Sequence, residues 1–223
     1  MNNNELYIFD LDETLLNGDS AMLWHQFLVK EGFILNASFL EEDKRLMKLY
    51  SEGKLDMQQY LNFCIAPLTN IPVIKIEELV KQFVENDITP RIFPQARQLI
   101  NQLQHQGKEI IIISATVNFL VSEIAKHLNI KHHLAIDLET NNNFYSAKIK
   151  GVASYQNGKV IRLKAWLKNQ TNQYQILHFY TDSINDLSLC EFADIVNVVN
   201  PCAMLANKAR QNNWQRLSWS TSD

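Results

Sequence analysis

The sequence predicts an α/β fold: an open parallel sheet with helices packed on it. Three observations predict it. Apolar runs too short for helices recur along the chain, and helical patterns separate them. One run, KEIIIIS at 108–114, is continuously apolar, as expected of a strand buried on both faces. Residues 17–89 break the alternation and contain no convincing strand.

The elements follow in order. ELYIFD, 5–10, is rich in strand formers and reads as a buried strand. In 17–89, SAMLWHQFLVKEG, NASFLEEDKRLMKLYSEG, MQQYLNFCIAPL and VIKIEELVKQFVEN read as four helices, an insert after the first strand. PQARQLINQLQHQG, 94–107, opens with Pro and closes with Gly, the punctuation of a helix. VNFLVSEIAKHLN (117–129), KVIRLKAWLK (159–168) and PCAMLANKARQ (201–211) carry apolar residues at helical spacing. QILHFY (175–180) and ADIVNVV (193–199) read as further strands. LAIDLETNNNFYSAKIKGVAS, 134–154, places an NNN turn between alternating residues and predicts a β-hairpin insert. His132 and His133 read as loop or surface residues, and His178 as structural. The asparagines at 2–4 read as a frayed end.

Bulk properties narrow the function. A chain of 223 residues suits one large domain, or a core with a smaller insert. A net charge of −3 without long runs of one sign excludes a nucleic-acid surface. No apolar run is long enough to span a bilayer. The opening MNNNELYIFD has no basic n-region and no long apolar h-region, so no secretory signal is expected. Cys64, Cys190 and Cys202 are widely spaced and give neither a disulfide framework nor metal-ligand spacing. A reducing cytoplasm is the expected location. Oligomeric state is not legible, because interface and core look alike in sequence.

In open α/β sheets, ligands bind at the carboxyl ends of the strands. The first strand ends at Asp10, followed by Asp12 and Thr14. The second ends at Ser114, in SAT. The third ends in YTDSINDL, which holds Asp182, Asn185 and Asp186. Lys159 opens a helix between the second and third. One cleft would then collect several carboxylates, a hydroxyl and an ammonium. The carboxylates repel one another, and a hard cation such as Mg²⁺ relieves that repulsion. The lysine and hydroxyl suit an anion, most simply phosphate. Asp10 then reads as a nucleophile toward phosphorus, and Asp12 as the acid and base that serves the leaving alcohol and water.

DLDET, SAT, Lys159 and DSIND, in this order and spacing, resemble the four motifs of the haloacid dehalogenase superfamily of phosphatases. The match runs from residue 5 to about 200. The helical insert resembles the small cap of the phosphoserine phosphatase-like branch, subfamily IB. The resemblance implies a Rossmann-like three-layer parallel-sheet core, 1–16 plus 90–223, with a helical C1-type cap, 17–89. Hinges are then expected near Asn17–Gly18 and Pro90. It implies that Asp10 becomes an aspartyl-phosphate and that Asp12 is the general acid/base and lends its backbone carbonyl to Mg²⁺. Thr14 steadies the loop. Ser114 and Lys159 hold phosphate oxygens, and Asn185 reaches the phosphate. Asp182 binds the metal, and Asp186 supports metal and lysine.

Two departures from the family pattern stand out. Many relatives have Gly where this chain has Glu13, so an unstrained φ and a solvent-facing carboxylate are expected there. In phosphoserine phosphatases, an acidic cap residue grips the substrate amine and an arginine grips its carboxylate. The matching positions here are Asp19 and Cys64, and a thiol supplies no bidentate fork. Arg45 is the nearest arginine. An amino-alcohol phosphate without a carboxylate, such as histidinol phosphate, therefore fits better than phosphoserine. Trp24, His25, Phe27, Tyr60 and Phe63 are candidates for an aromatic pocket. Simpler readings stand beside these. Asp19 is equally placed to cap a helix, Ser114 to cap the helix after it, Cys64 to pack, and the aromatics to form core. The motifs do not separate a hydrolase from a phosphotransferase. A dehalogenase is disfavoured by Asp12, a non-catalytic module by the full motif set, and a lipid-phosphate phosphatase by the lack of a basic amphipathic helix.

Overall fold

The computed structural model describes residues 4–221; the expectation for Asn2 and Asn3 lies outside them. The chain opens with strand β1 (Glu5–Phe9), then helices α1 (Ser20–Lys30), α2 (Phe39–Ser51), α3 (Met57–Ile65) and α4 (Val73–Phe83). A π turn, Val84–Ile88, leads to α5 (Pro94–His105), β2 (Glu109–Val117) and α6 (Asn118–His127). Next come β3 (His132–Ile136), β4 (Leu138–Asn141), β5 (Phe144–Ile149) and α7 (Asn157–Lys168). The chain then forms β6 (Ile176–Thr181), α8 (Leu187–Phe192), β7 (Ile195–Val199), α9 (Ala203–Asn212) and β8 (Gln215–Leu217).

Among the described residues, six strands form a sheet in the order β3-β2-β1-β6-β7-β8, every pair parallel. Period-2 alternation sends side chains to opposite faces. Leu6, Ile8, Ile111 and Ile113 join one buried cluster with Val160 and Leu163 of α7 and Leu205 of α9. Phe9, Ile110 and Ile112 join the other, with Ile100 of α5 and Leu120 of α6. Helices therefore cover both faces, as the continuous apolar strands require. This is the α/β Rossmann-like fold expected.

The insert helices are locally specified. Asp19 caps α1 by accepting from Met22 N–H at 2.8 Å, and Asp56 caps α3 by accepting from Gln59 N–H at 3.0 Å. Pro94 starts α5, and Gly107 follows it at φ +67°. The insert meets the sheet layer through a short antiparallel contact. Asn17 N–H donates to the Arg91 carbonyl at 2.8 Å, and Phe93 N–H to the Leu15 carbonyl at 3.0 Å.

Three expectations need correction. Residues 134–154 are not one hairpin. The hairpin is β4–β5, turning at Asn142 and Asn143, both at positive φ. His132 to Ile136 instead form β3, an edge strand paired with β2, so the two histidines lie in a strand. Only Ala135 and Ile136 of it are buried, which left too few apolar residues to signal a strand. β8, three residues of QRL, was missed for the same reason. Glu13 adopts φ +54°, in the left-handed region, rather than an unstrained φ. The loop needs that turn, since Glu13 N–H reaches back to the Gly18 carbonyl at 3.2 Å.

Candidate active site

Asp10 follows β1 directly, and its N–H extends the sheet ladder to the Tyr180 carbonyl at 2.9 Å. Its carboxylate is 7% exposed and accepts from Lys159 Nζ at 2.7 Å. Lys159 lies in the first turn of α7 and is 1% exposed. It arrives there because Gly158 packs directly on the Ala153 carbonyl; a Cβ at Gly158 would lie 2.0 Å from that oxygen. The same ammonium donates to Asp186 at 2.9 Å. Thr181 Oγ1 also donates to Asp186, at 2.8 Å. Burial alone would depress the lysine's pKa, but the attraction of Asp10 and Asp186 outweighs it and raises it. The ammonium stays charged.

The carboxylates outnumber that one cation. Burial pushes Asp10 up to about 7, with Lys159 pulling it down and Asp186 pushing it up. Asp182, at the end of β6, is raised well above the usual carboxylate range by burial and then by the charges of Asp10 and Asp186. Thr14 Oγ1 donates to Asp182 at 3.2 Å, tying the first loop to the third. The Asp12 side chain turns the other way. It accepts from Ser20 N–H at 2.7 Å and from Thr116 Oγ1 at 2.8 Å. Ser114 is fully buried, and its hydroxyl accepts from Thr116 N–H at 3.0 Å. It does not cap α6, whose N-cap is Val117 with no side-chain bond.

A cavity of about 250 Å³ opens between these strand ends and the helical insert. Asp10, Asp12 and Asp182 line one end, and Asp19, Trp24, Tyr60 and Cys64 line it from the insert. Lys159, Ser114, Thr14 and Asp186 are buried next to these groups and do not themselves line the cavity. Asn185 donates through Nδ2 to the Tyr50 carbonyl at 2.8 Å, linking the third loop to the insert. Among the described residues, no lysine or arginine lines this cavity. Arg45 is exposed and pairs with Glu42 at 2.7 Å, so it is not the missing clamp. Phe27 and Phe63 belong to the packed core and its edge, not to the cavity wall. A larger cleft of about 690 Å³ lies between α4, α6 and the hairpin. It holds none of the motif carboxylates.

Asp19 serves as helix cap and cavity wall at once. Burial, then the charge of Asp12, pushes its pKa up to about 8. Three residues at the site were not legible in sequence. Thr116 and Ser20 reveal themselves only by holding Asp12. Tyr50 lines the cavity, and burial and the charges of Asp10, Asp186, Asp182 and Asp12 raise its phenol. Thr116 lies within SAT, so its proximity to Ser114 was the one available signal.

The donor set fits a hard cation such as Mg²⁺. Asp10 and Asp182 are carboxylates whose pKa values are raised first by burial and then by neighbouring charge, Asp186 acting on both and Asp10 on Asp182. The Asp12 side chain is already engaged by Ser20 and Thr116. Among the described residues, no three His, Cys, Asp or Glu side chains form a metal cage. A site built on two carboxylates suits Mg²⁺, which keeps several waters.

A parallel sheet with an aspartate-rich cleft at its carboxyl edge, held by one buried lysine, defines a hydrolase of phosphatase type. The chain belongs to the haloacid dehalogenase-like hydrolase family, whose model matches residues 7–191. It is 34% identical over 218 residues to a histidinol-phosphatase of Neisseria meningitidis serogroup C, covering 96% of this chain and 98% of that one. A Bordetella pertussis protein of unknown function has a similar structure, with TM-score 0.88 and 28% identity, covering 96% and 98% of the two chains. A phospho-aspartyl intermediate analogue of a phosphoserine phosphatase shares the fold, with TM-score 0.70 and 22% identity over 96% of this chain and 93% of that one. No helix among the described residues is long and apolar enough to cross a membrane.

Proposed function

We propose that this chain is a Mg²⁺-dependent phosphomonoesterase for a small amino-alcohol phosphate, best represented by histidinol phosphate. One observation carries the substrate reading. The cavity wall on the insert side has aromatic groups and the Asp19 carboxylate but no lysine or arginine. A substrate amine finds a partner there, whereas a substrate carboxylate meets only like charge. The 34% identity to a histidinol-phosphatase supports the same choice.

In this reading a carboxylate oxygen of Asp10 attacks phosphorus, and the bond from phosphorus to the alcohol oxygen breaks. Asp12, held by Ser20 and Thr116, gives its proton to the departing alcohol. It then takes a proton from the water that attacks the aspartyl-phosphate, and inorganic phosphate leaves. Lys159 and Ser114 hold phosphoryl oxygens, and Lys159 also offsets the charge of Asp10. Asp186 keeps Lys159 in place. Asp10, Asp182 and the Asp12 carbonyl would hold Mg²⁺, which supplies positive charge to the phosphoryl oxygens. Residues 17–89 act as the cap that excludes bulk water, hinged beside the Asn17–Arg91 contact.

Phosphate release from a panel of metabolites tests this reading. Histidinol phosphate is expected to give the highest kcat/KM, with phosphoserine well below it and no release after chelation of Mg²⁺. Preferred release from phosphoserine would sink the substrate reading.

The metal also predicts a pH-dependent stability. Asp10 has a folded pKa of about 7 against an ordinary value of 3.8. The folded state thus holds a proton that the unfolded state has lost. Without metal, stability falls as pH rises from about 4 to about 7 and stays low above that. Asp182, raised in the same direction, adds to the fall. Mg²⁺ binds the deprotonated forms, so the Tm increment from Mg²⁺ is expected to grow with pH over this window. Thermal melts with and without chelator check it; an increment independent of pH would count against these ligands.

A further inference from the structure

The insert side of the cavity is not simply apolar. Buried side-chain polar atoms in native proteins are nearly all hydrogen-bonded, and each exception calls for a partner. Several exceptions among the described residues fall on this one wall. Trp24 Nε1 and the Tyr60 hydroxyl are buried without a good partner. The Tyr60 hydroxyl has only the Cys64 thiol within reach, a weak partner. His25 also lines the wall and is 1% exposed. Its Nδ1 lies 2.9 Å from Asp43 Oδ2, off the line of a good hydrogen bond, and Asp43 Oδ1 has no partner at all.

These groups form one neighbourhood. The charges of Asp19 and Asp43 both act on the Tyr60 hydroxyl and the Cys64 thiol. Leaving several buried polar atoms unmatched in a small space is costly for each of them. A ligand that supplies their partners removes that cost, whereas an aliphatic ligand does not. Among the described residues, no lysine or arginine on this wall offers an anionic ligand a partner.

We propose that this wall is a hydrogen-bonding subsite for a nitrogen heterocycle carried by the leaving alcohol, with Trp24, Tyr60 and His25 as its polar contacts. The inference rests on the phosphomonoesterase reading above and deepens it. The Trp24 N–H donates to the ring nitrogen that carries a lone pair. The ring's own N–H donates to the Tyr60 oxygen. His25 lines the same wall, with Asp43 behind it at 2.9 Å from Nδ1. Trp24, Tyr60 and Phe119 give the wall aromatic surface suited to a flat ring. Asp19, which caps α1 through Oδ1, also lines the cavity and is the partner for the amine.

Tyr60→Phe and Trp24→Phe remove the polar atoms and keep aromatic rings. The readout is the ratio of kcat/KM for histidinol phosphate to that for ethanolamine phosphate, which has the amine and lacks the ring. Each variant is expected to lower this ratio about tenfold. The Tm of Tyr60→Phe is expected to hold, because an unmatched buried hydroxyl has been removed; a purely structural tyrosine would show the opposite pattern. An unchanged ratio in both variants would overturn the subsite. Calorimetric binding of histidinol itself needs no turnover and separates the two levels of the argument. Binding to the parent chain that weakens about tenfold in the variants supports the subsite even if no phosphate is released from histidinol phosphate, an outcome that would count against the substrate reading alone. No binding to the parent chain would overturn the subsite, whatever the enzyme hydrolyses.

Discussion

Replacing Asp10 with asparagine is expected to lower phosphate release at least about a thousandfold, the scale seen when a nucleophile is removed from a preorganised site. An amide oxygen is a poor nucleophile and cannot form the acyl phosphate. The fold should survive, because the asparagine Oδ1 can still accept from Lys159 where the aspartate accepts at 2.7 Å. The apo protein should even gain stability. Burial and the charges of Asp186 and Asp12 oppose ionised Asp10, and the pull of Lys159 only partly offsets them. A neutral amide removes that opposition. Thermal melts in chelator at about pH 8, above the folded pKa, should therefore show a Tm for Asp10→Asn that equals or exceeds the parent's. Turnover near the parent rate would remove Asp10 from the nucleophile's role. Lost turnover with a collapsed Tm would assign Asp10 to structure instead.

Replacing Lys159 with methionine is expected to do the reverse to stability while also ending turnover. Methionine keeps much of the side chain's length and loses the charge. Asp10 and Asp186 then face one another, both buried, without their shared ammonium. Removing one partner of a buried ion pair costs about 3–5 kcal/mol. In a chain of this size each kcal/mol shifts Tm by roughly 2–4 °C, so a fall of roughly 6–20 °C is expected. The deficit should shrink on acidification, because the abandoned carboxylates escape by taking up protons. Melts at about pH 5 and about pH 8 separate this from a packing effect, which would be the same at both. Mg²⁺ should recover part of the loss at the higher pH, by replacing some of the missing positive charge.

The parallel core was legible because its strands are buried on both faces. EIIIIS announces itself by composition, with no need of a partner. β3 did not, because an edge strand buries one face and its His132 and His133 look polar until paired with Ile111 and Ile112. The insert helices were legible through their caps and apolar spacing. Glu13 was misjudged because its positive φ is imposed by the loop closing onto Gly18, a contact that local propensity does not contain.

At the site, the sequence by itself determined which chemical groups are present: Asp10, Asp12, Lys159, Asp182 and Asp186 each follow a strand or open a helix, Ser114 lies near the end of β2, which runs on to Val117, and an open α/β sheet gathers such positions at one edge. Where each side chain points was decided by the tertiary structure. Asp12 turns to Ser20 and Thr116, Asn185 reaches the Tyr50 carbonyl, and Arg45 stays in solvent with Glu42. The unmatched polar wall of Trp24, Tyr60 and His25, with Asp43 beside His25, exists only once α1, α2 and α3 have packed. The reason is physical. Backbone pattern and strand burial are short-range properties written along the chain, whereas hydrogen-bond partners and desolvation depend on residues tens or hundreds of positions apart.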